Sequence, residues 1–173
     1  MCIRDRVDTQ INVPKTTVFP VLISALAPAM LRVAGELADG TITWMAGISA
    51  IEEHIVPRIN KAARDAGRNA PRICVGLPIC VTDDRDAAFE EAASRFQRYG
   101  TLVNYRRILN VESVDGPADV AIIGNEKEVE GQLARFADAG VTDFLASVYP
   151  VGDDSEGISR RTRDLLSNLV GKL

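Results

Sequence analysis

The stretch Pro20-Val21-Leu22-Ile23-Ser24-Ala25-Leu26-Ala27-Pro28-Ala29-Met30-Leu31-Arg32-Val33-Ala34-Gly35-Glu36-Leu37-Ala38-Asp39-Gly40 decides how the rest of the chain is read. Its opening, from Phe19 to Leu26, is a short apolar run of the kind that forms a parallel strand buried on both faces. Pro28 follows where a helix tolerates it, because first-turn amides have no intrahelical acceptor. From Ala29 to Leu37 the residues Met30, Val33, Ala34 and Leu37 share one helical face. Ala38-Asp39-Gly40 turns the chain, and Thr41-Ile42-Thr43-Trp44-Met45 reads as the next strand.

The same alternation continues downstream. Ser49 with Glu52 has the spacing of a capping box and opens a helix with Ile51, Ile55, Ile59, Ala62, Ala63 and Ala66 inward, ended by Gly67. A strand is expected from Ile73 to Leu77 and on toward Val81, with Pro78 forcing a bulge or an early end. Thr82-Asp83-Asp84 caps a helix carrying Ala88, Phe89, Ala92, Ala93 and Phe96; Gly100 breaks it before a further helix around 102–109. A polar segment, 110–119, leads to the apolar run Val120–Gly124. Asn125 and Glu128 repeat the capping pattern for a helix over 126–139, which Gly140 ends. Asp143–Tyr149 reads as a fourth strand, and a final helix covers 155–169. Strand and helix thus alternate four times, which predicts an α/β fold with a parallel sheet, either doubly wound or part of a barrel.

Upstream, residues 7–18 carry a proline and no sustained period and are expected to be a loop. Met1-Cys2-Ile3-Arg4-Asp5-Arg6 has no apolar core of a targeting segment and looks like translated adapter sequence, so it is left out of the fold. The organisation expected is a tail and loop over 1–18 and one domain over 19–173.

Composition narrows the function. The chain has 173 residues, 46% hydrophobic and 25% charged, enough for one globular domain with a core. No apolar run approaches the roughly 20 residues that span a bilayer, which argues against an integral membrane role. A net charge of −4 argues against nucleic acid, whose phosphates need a basic face. Arg106, Arg107, Arg160, Arg161 and Arg163 read as solvated helix faces. The cysteines Cys2, Cys74 and Cys80 form no CxxC pair; Cys74 and Cys80 sit in apolar surroundings and read as reduced thiols of a cytoplasmic protein. The one histidine, His54, has no second ligand at helical spacing, so no metal site and no Ser-His or Cys-His pair is expected.

The segment 20–40 resembles a signature of luciferase-like oxidoreductases, in which a strand reading P-V-x-I-x-A leads through a small-residue turn to a helix ending A-G-E-x-A-D-G. Ala66-Gly67-Arg68, Val81-Thr82-Asp83-Asp84, Ala139-Gly140-Val141-Thr142-Asp143 and Tyr149-Pro150 extend the likeness to residue 150. It looks closest to the subgroup that uses the deazaflavin coenzyme F-420. The resemblance implies a (β/α)8 TIM barrel of which this chain supplies the C-terminal half, four strand–helix units. It also implies hydride transfer between F-420 and a small organic substrate, with most residues around the reacting ring on the other half. An FMN-dependent monooxygenase of the same superfamily is the alternative. A non-catalytic flavodoxin-like α/β interaction domain is the alternative from another class, recognisable by helices on both sheet faces.

In a barrel, ligands gather at the C-terminal strand ends. The resemblance places the coenzyme phosphate at Ser24, Ala25, Leu26 and Ala27, with Met30 lining it. Small residues there let amides approach an anion at a helix N-terminus; a simple tight turn would read the same way. Trp44 and Met45 are candidates for contact with a flat ring or apolar substrate, or for core packing. Tyr149 is a candidate hydrogen-bond donor to cofactor or substrate, or a core tyrosine. Some deazaflavin sugar-phosphate dehydrogenases hold a lysine where this chain has Ala46-Gly47, which disfavours a sugar phosphate. Glu36 and Asp39 fall at the opposite barrel face and read as structural. No catalytic residue is assigned, and the chemistry is left to the cofactor. A half-barrel leaves strand edges uncovered, so a homo-oligomer is expected.

Overall fold

A computed structural model describes residues 19–172, and the expectations for 1–18, Cys2 included, lie outside the described residues. Five strands make one parallel sheet: β1 (Leu22–Ser24), β2 (Gly40–Trp44), β3 (Arg72–Val81), β4 (Ile122–Gly124) and β5 (Asp143–Val148). Helix α1 (Pro28–Leu37) joins β1 to β2. A helical run then passes through α2 (Ile48–Ala50), a π-helical turn (Ile51–Ile55) and α3 (Val56–Asp65). After β3 come α4 (Arg85–Phe96), a 3-10 turn over Gln97–Gly100 and α5 (Val103–Glu112); α6 (Glu126–Asp138) precedes β5 and α7 (Ser155–Leu169) follows it.

β3 organises the sheet. Cys74 to Gly76 are paired with β2 and β5 at once, and Ile79 with β4 and β5 at once. β2 and β4 therefore share one edge of β3, one above the other, and β5 takes the other edge. The strand read as fourth, 143–149, is thus the fifth in the chain and lies beside β3. The apolar run before Asn125 supplies an extra three-residue strand that its length did not reveal.

Pro78 does not end β3, contrary to expectation. The amide of Thr82 donates to Gly124 O and the carbonyl of Gly76 accepts from Met45 N, so even-numbered residues direct their polar groups toward the β2–β4 edge. Pro78 falls in the gap between the last β2 partner, Gly76, and the first β4 partner, Ile79. An imino nitrogen costs no ladder bond where the neighbouring strand is missing.

The two sheet faces differ as the pleat requires. Ile73, Val75, Leu77 and Ile79 point into a closed core with Leu31 and Ala34 of α1, Ile59 of α3, and Val129 of α6. Phe144 of β5, on the same face, packs on Phe136 of α6 with ring centroids 6.0 Å apart. The other face carries Ile42, Trp44, Cys74, Ser147 and Leu145, all at least partly accessible, Leu145 at 49%. Toward the strand ends this face is covered: Cys80 and Tyr149 are buried, Phe96 of α4 packs on Trp44 and Tyr149, and only the part nearer the strand starts stays open.

Two glycines of the signature have steric work. At Gly35 a Cβ would come 2.6 Å from Ile59 O, so its absence lets α1 lie against α3. At Gly40 a Cβ would come 2.0 Å from Arg72 O, in the path of the β2–β3 ladder. Asp39, read as structural, accepts from Val21 N at 2.8 Å and faces the Arg68 guanidinium at 3.3 Å.

Two caps match the sequence and one does not. Asp84 accepts from Ala87 N at 3.0 Å, and Asn125 with Glu128 forms the reciprocal box at 3.1 and 2.9 Å. Ser49 caps nothing: the helix starts one residue earlier, and the Glu112 carboxylate accepts from Ser49 N at 3.2 Å and Ala50 N at 2.7 Å. A charged acceptor from α5 satisfies these first-turn donors in place of a local hydroxyl.

Candidate functional site

The turn from β1 into α1 is built mainly from small residues. Ser24 is exposed, Ala25 buried, and Leu26 and Ala27 half-buried, while Met30 is 41% exposed on the first helical turn. Ala27 is the N-cap with φ −84° and ψ 149°, and no side chain caps the helix. The Leu31 amide donates to Ala27 O at 2.9 Å. Among the described residues, the amides of Leu26, Ala27, Ala29 and Met30 meet no acceptor outside regular ladders. Such unsatisfied donors carry the positive end of the helix dipole and suit an anion.

Beside this turn lies a cavity of about 120 Å³, walled by Leu26, Ala27 and Pro28 on one side and by His54, Asn104 and Arg107 on the other. The His54 imidazole donates from Nε2 to Leu26 O at 2.8 Å. Arg107 adds a guanidinium of the sign an anion needs. Sequence reading set both residues aside, Arg107 as half of a solvated pair and His54 for want of a second ligand. The signal available was the spacing of Pro57 inside an otherwise regular helix, which marks a distorted turn at His54.

Trp44 closes β2 and stands edge-on to Phe96 at 6.1 Å and Tyr99 at 5.8 Å between ring centroids. Its indole N–H is buried with no acceptor among the described residues. Phe96 also meets Tyr149 at 5.8 Å, so the structure brings Trp44 and Tyr149 into one aromatic cluster at the strand ends. Tyr149 is 1% exposed and its hydroxyl donates to Ala88 O at 3.1 Å; burial holds the phenol well above its ordinary range. Met45 is 0% exposed and left-handed, with φ 60°, so it presents no surface to a ligand in this conformation. Left-handed backbone at a side chain of this size costs on the order of 1–2 kcal/mol and turns the chain out of the sheet.

The Cys80 thiol is buried and pushed up to about 11 by desolvation; Cys74 is shifted the same way. Among the described residues no group of three or more His, Cys, Asp or Glu could hold a metal ion. No described helix is long and apolar enough to cross a membrane. An apolar cleft of about 360 Å³ between α6, α7 and β5 opens beside Thr142 and Asp143, at the start of β5 and away from this site.

Comparison with known proteins gives a consistent picture. The profile of the luciferase-like monooxygenase family matches residues 4–166. A 5,10-methylenetetrahydromethanopterin reductase of Methanopyrus kandleri is 36% identical over 137 residues, covering 78% of this chain and 35% of the reductase. Among solved structures, an F-420-dependent secondary alcohol dehydrogenase in complex with an F-420–acetone adduct superposes with a TM-score of 0.63 at 20% identity, covering 88% of this chain and 49% of that one. The oxygenating constituent of 3,6-diketocamphane monooxygenase from Pseudomonas putida, in complex with FMN, gives 0.52 at 20% identity, covering 82% and 45%. The chain spans half or less of the length of each of these three.

Proposed function

The chain belongs to the luciferase-like monooxygenase family, and from that membership we propose that it serves an oxidoreductase using coenzyme F-420, with the β1–α1 turn holding the coenzyme's phosphate. The observation carrying this reading is the uncapped α1 N-terminus, where the amides of Leu26, Ala27, Ala29 and Met30 meet no acceptor among the described residues, beside a cavity that Arg107 lines. These donors fit a phosphate: small side chains let it approach, and no internal carboxylate competes, unlike the neighbouring helix start that Glu112 fills. In a TIM barrel this turn lies on the face where ligands bind.

When bound, the coenzyme supplies the hydride chemistry. The residues of this chain anchor and orient it. The amides from Leu26 to Met30 and the Arg107 guanidinium neutralise the anionic end, and the open sheet face at Ile42, Trp44 and Leu145 offers apolar surface. Nothing in the turn selects a substrate, and the missing lysine at Ala46-Gly47 speaks against a sugar phosphate. The relatives support a parallel-sheet barrel segment, and the order of elements fits its C-terminal half, residues 19–173 acting as one unit.

FMN is the second reading, favoured by the FMN-bound monooxygenase among the similar structures. Absorbance and fluorescence titration of the protein with each coenzyme separates them. The informative variant is Ala27→Asp. A carboxylate at the N-cap should stabilise α1 by about 1 kcal/mol while occupying the same amides. Higher Tm with at least tenfold weaker coenzyme binding is expected. Binding of neither coenzyme by the native sequence, or undiminished binding by the variant, would overturn the assignment.

A further inference from the structure

The helical run after β2 contains a defect with an identifiable cause. Pro57 has no N–H, so the carbonyl four residues back, Glu53 O, loses its helical donor. The helix responds by widening: the Val56 amide reaches Ile51 O, five residues back, and Ile51–Ile55 forms a π-turn. The loosened carbonyls are then served by a side chain, the Arg58 guanidinium donating to His54 O at 2.9 Å and Glu53 O at 3.2 Å. Single π-turns inside α-helices are frequent at functional sites.

Here the redirected residue is His54. It sits within the π-turn, half-buried, and its Nε2 reaches Leu26 O at 2.8 Å across 28 residues of sequence. A carbonyl can only accept, so Nε2 carries the proton. No other side chain hydrogen-bonds Leu26, Ala27 or Pro28 among the described residues. Fixing the Leu26 carbonyl toward the π-turn fixes the Leu26–Ala27 peptide plane, and in this trans peptide the Ala27 N–H lies on the opposite side, clear of His54.

We infer that His54 is a positioning residue for the anion-binding turn, a strut set by the π-turn of Pro57 that holds the Leu26 carbonyl on its own side and so presents the Ala27 N–H of the same peptide on the opposite side. The inference rests on the reading of that turn as the phosphate site, and it adds the residue that preorganises it. His54 does not touch the reacting atoms. Its effect should fall on coenzyme affinity and on local opening of the α1 start, and not on the global fold.

The test compares His54→Leu, which fills the space without a donor, with His54→Gln, whose amide restores an N–H near the Nε2 position. Hydrogen exchange over residues 29–34 is read in the free protein, and F-420 affinity by titration. With leucine, exchange should rise and affinity fall by about tenfold each, the effect of losing one hydrogen bond, and glutamine should recover most of both. Imidazole NMR of the native protein should show a protected Nε2 proton. Unchanged exchange with leucine, faster exchange with unchanged F-420 affinity, or an unprotonated Nε2 would each overturn the strut. His54→Ala is read the same way should leucine unfold the chain. Should the native protein bind no F-420, the phosphate reading falls, and with it the functional role of the strut; exchange and NMR then still report whether the bond itself exists.

Discussion

Arg161 of α7 grips Glu126 of α6 with two hydrogen bonds, Nε to Oε1 at 2.5 Å and Nη2 to Oε2 at 2.7 Å, while also reaching Asp83 at 2.9 Å. One guanidinium thus ties the middle of α7 to the start of α6 and to the loop that leaves β3. The bond to Arg161 is the first cause of the depression of Glu126, which is held down to about 2 from an ordinary 4.5; the arginine is raised in turn. A carboxyl lowered on folding stabilises the folded state above its unfolded pKa, and that contribution disappears as pH falls through the folded value. Stability should therefore be insensitive to this pair above pH about 4.5 and decline between there and about 2. Glu126→Gln should flatten that part of a Tm-against-pH curve. Both side chains keep solvent contact, so the loss at neutral pH should be modest.

Glu112 supplies the first-turn acceptor that Ser49 does not. Glu112→Ala should cost about 1–2 kcal/mol, the range for a lost helix cap, and Glu112→Gln less. Gly47→Ala should be destabilising too, because its Cβ would come 2.4 Å from the Glu112 Cδ. Urea denaturation of the three variants checks the order. A destabilised Ser49→Ala of equal size would assign the cap back to serine.

Tyr149→Phe separates the two roles weighed for this residue. Its hydroxyl is buried on Ala88 O, so removal should cost about 1–2 kcal/mol and leave coenzyme affinity unchanged. Loss of affinity without loss of stability would give the tyrosine to the ligand.

Gly40→Ala should be the most damaging single methyl in the signature. The added carbon meets backbone, Arg72 O at 2.0 Å, where no rotamer change gives relief. We expect loss of the β1–β2–β3 ladder, seen as insoluble or molten protein by near-UV circular dichroism. A folded variant with a native-like Tm would show that the strands slide apart more cheaply than the geometry implies.

Among the described residues β5 pairs only with β3, and the apolar cleft beside α7 is open on that side. A bare parallel edge next to apolar surface invites another strand. Light scattering should report self-association of the purified chain, in line with the homo-oligomer expected from the sequence. A monodisperse monomer would overturn the expectation of self-association.

How legible all this was depends on the range of the interaction. Asn125 with Glu128 and Asp84 with Ala87 are local, and their spacing alone located two helix starts. The 155–169 helix and the inward face of Ile51, Ile55 and Ile59 followed from period. Signals that need a distant partner were misread. Ser49 looked like a cap because the competing acceptor, Glu112, is 63 residues away. Pro78 looked like a strand end because the gap that tolerates it is made by β2 and β4. The turn at Ser24–Ala27 was visible as small residues; His54 and Arg107 were not, since helices packed across the fold bring them there.

The fork in the sheet has a consequence for how this mouth can change over time. Because β2 stops and β4 starts on either side of a proline, the two share no register with each other. Insertions or deletions in the connections 45–71 and 82–121 can shift those two neighbours independently while β3 keeps its alignment with β5. The rim above the strands is free to vary in length and composition, and the floor beneath it stays fixed.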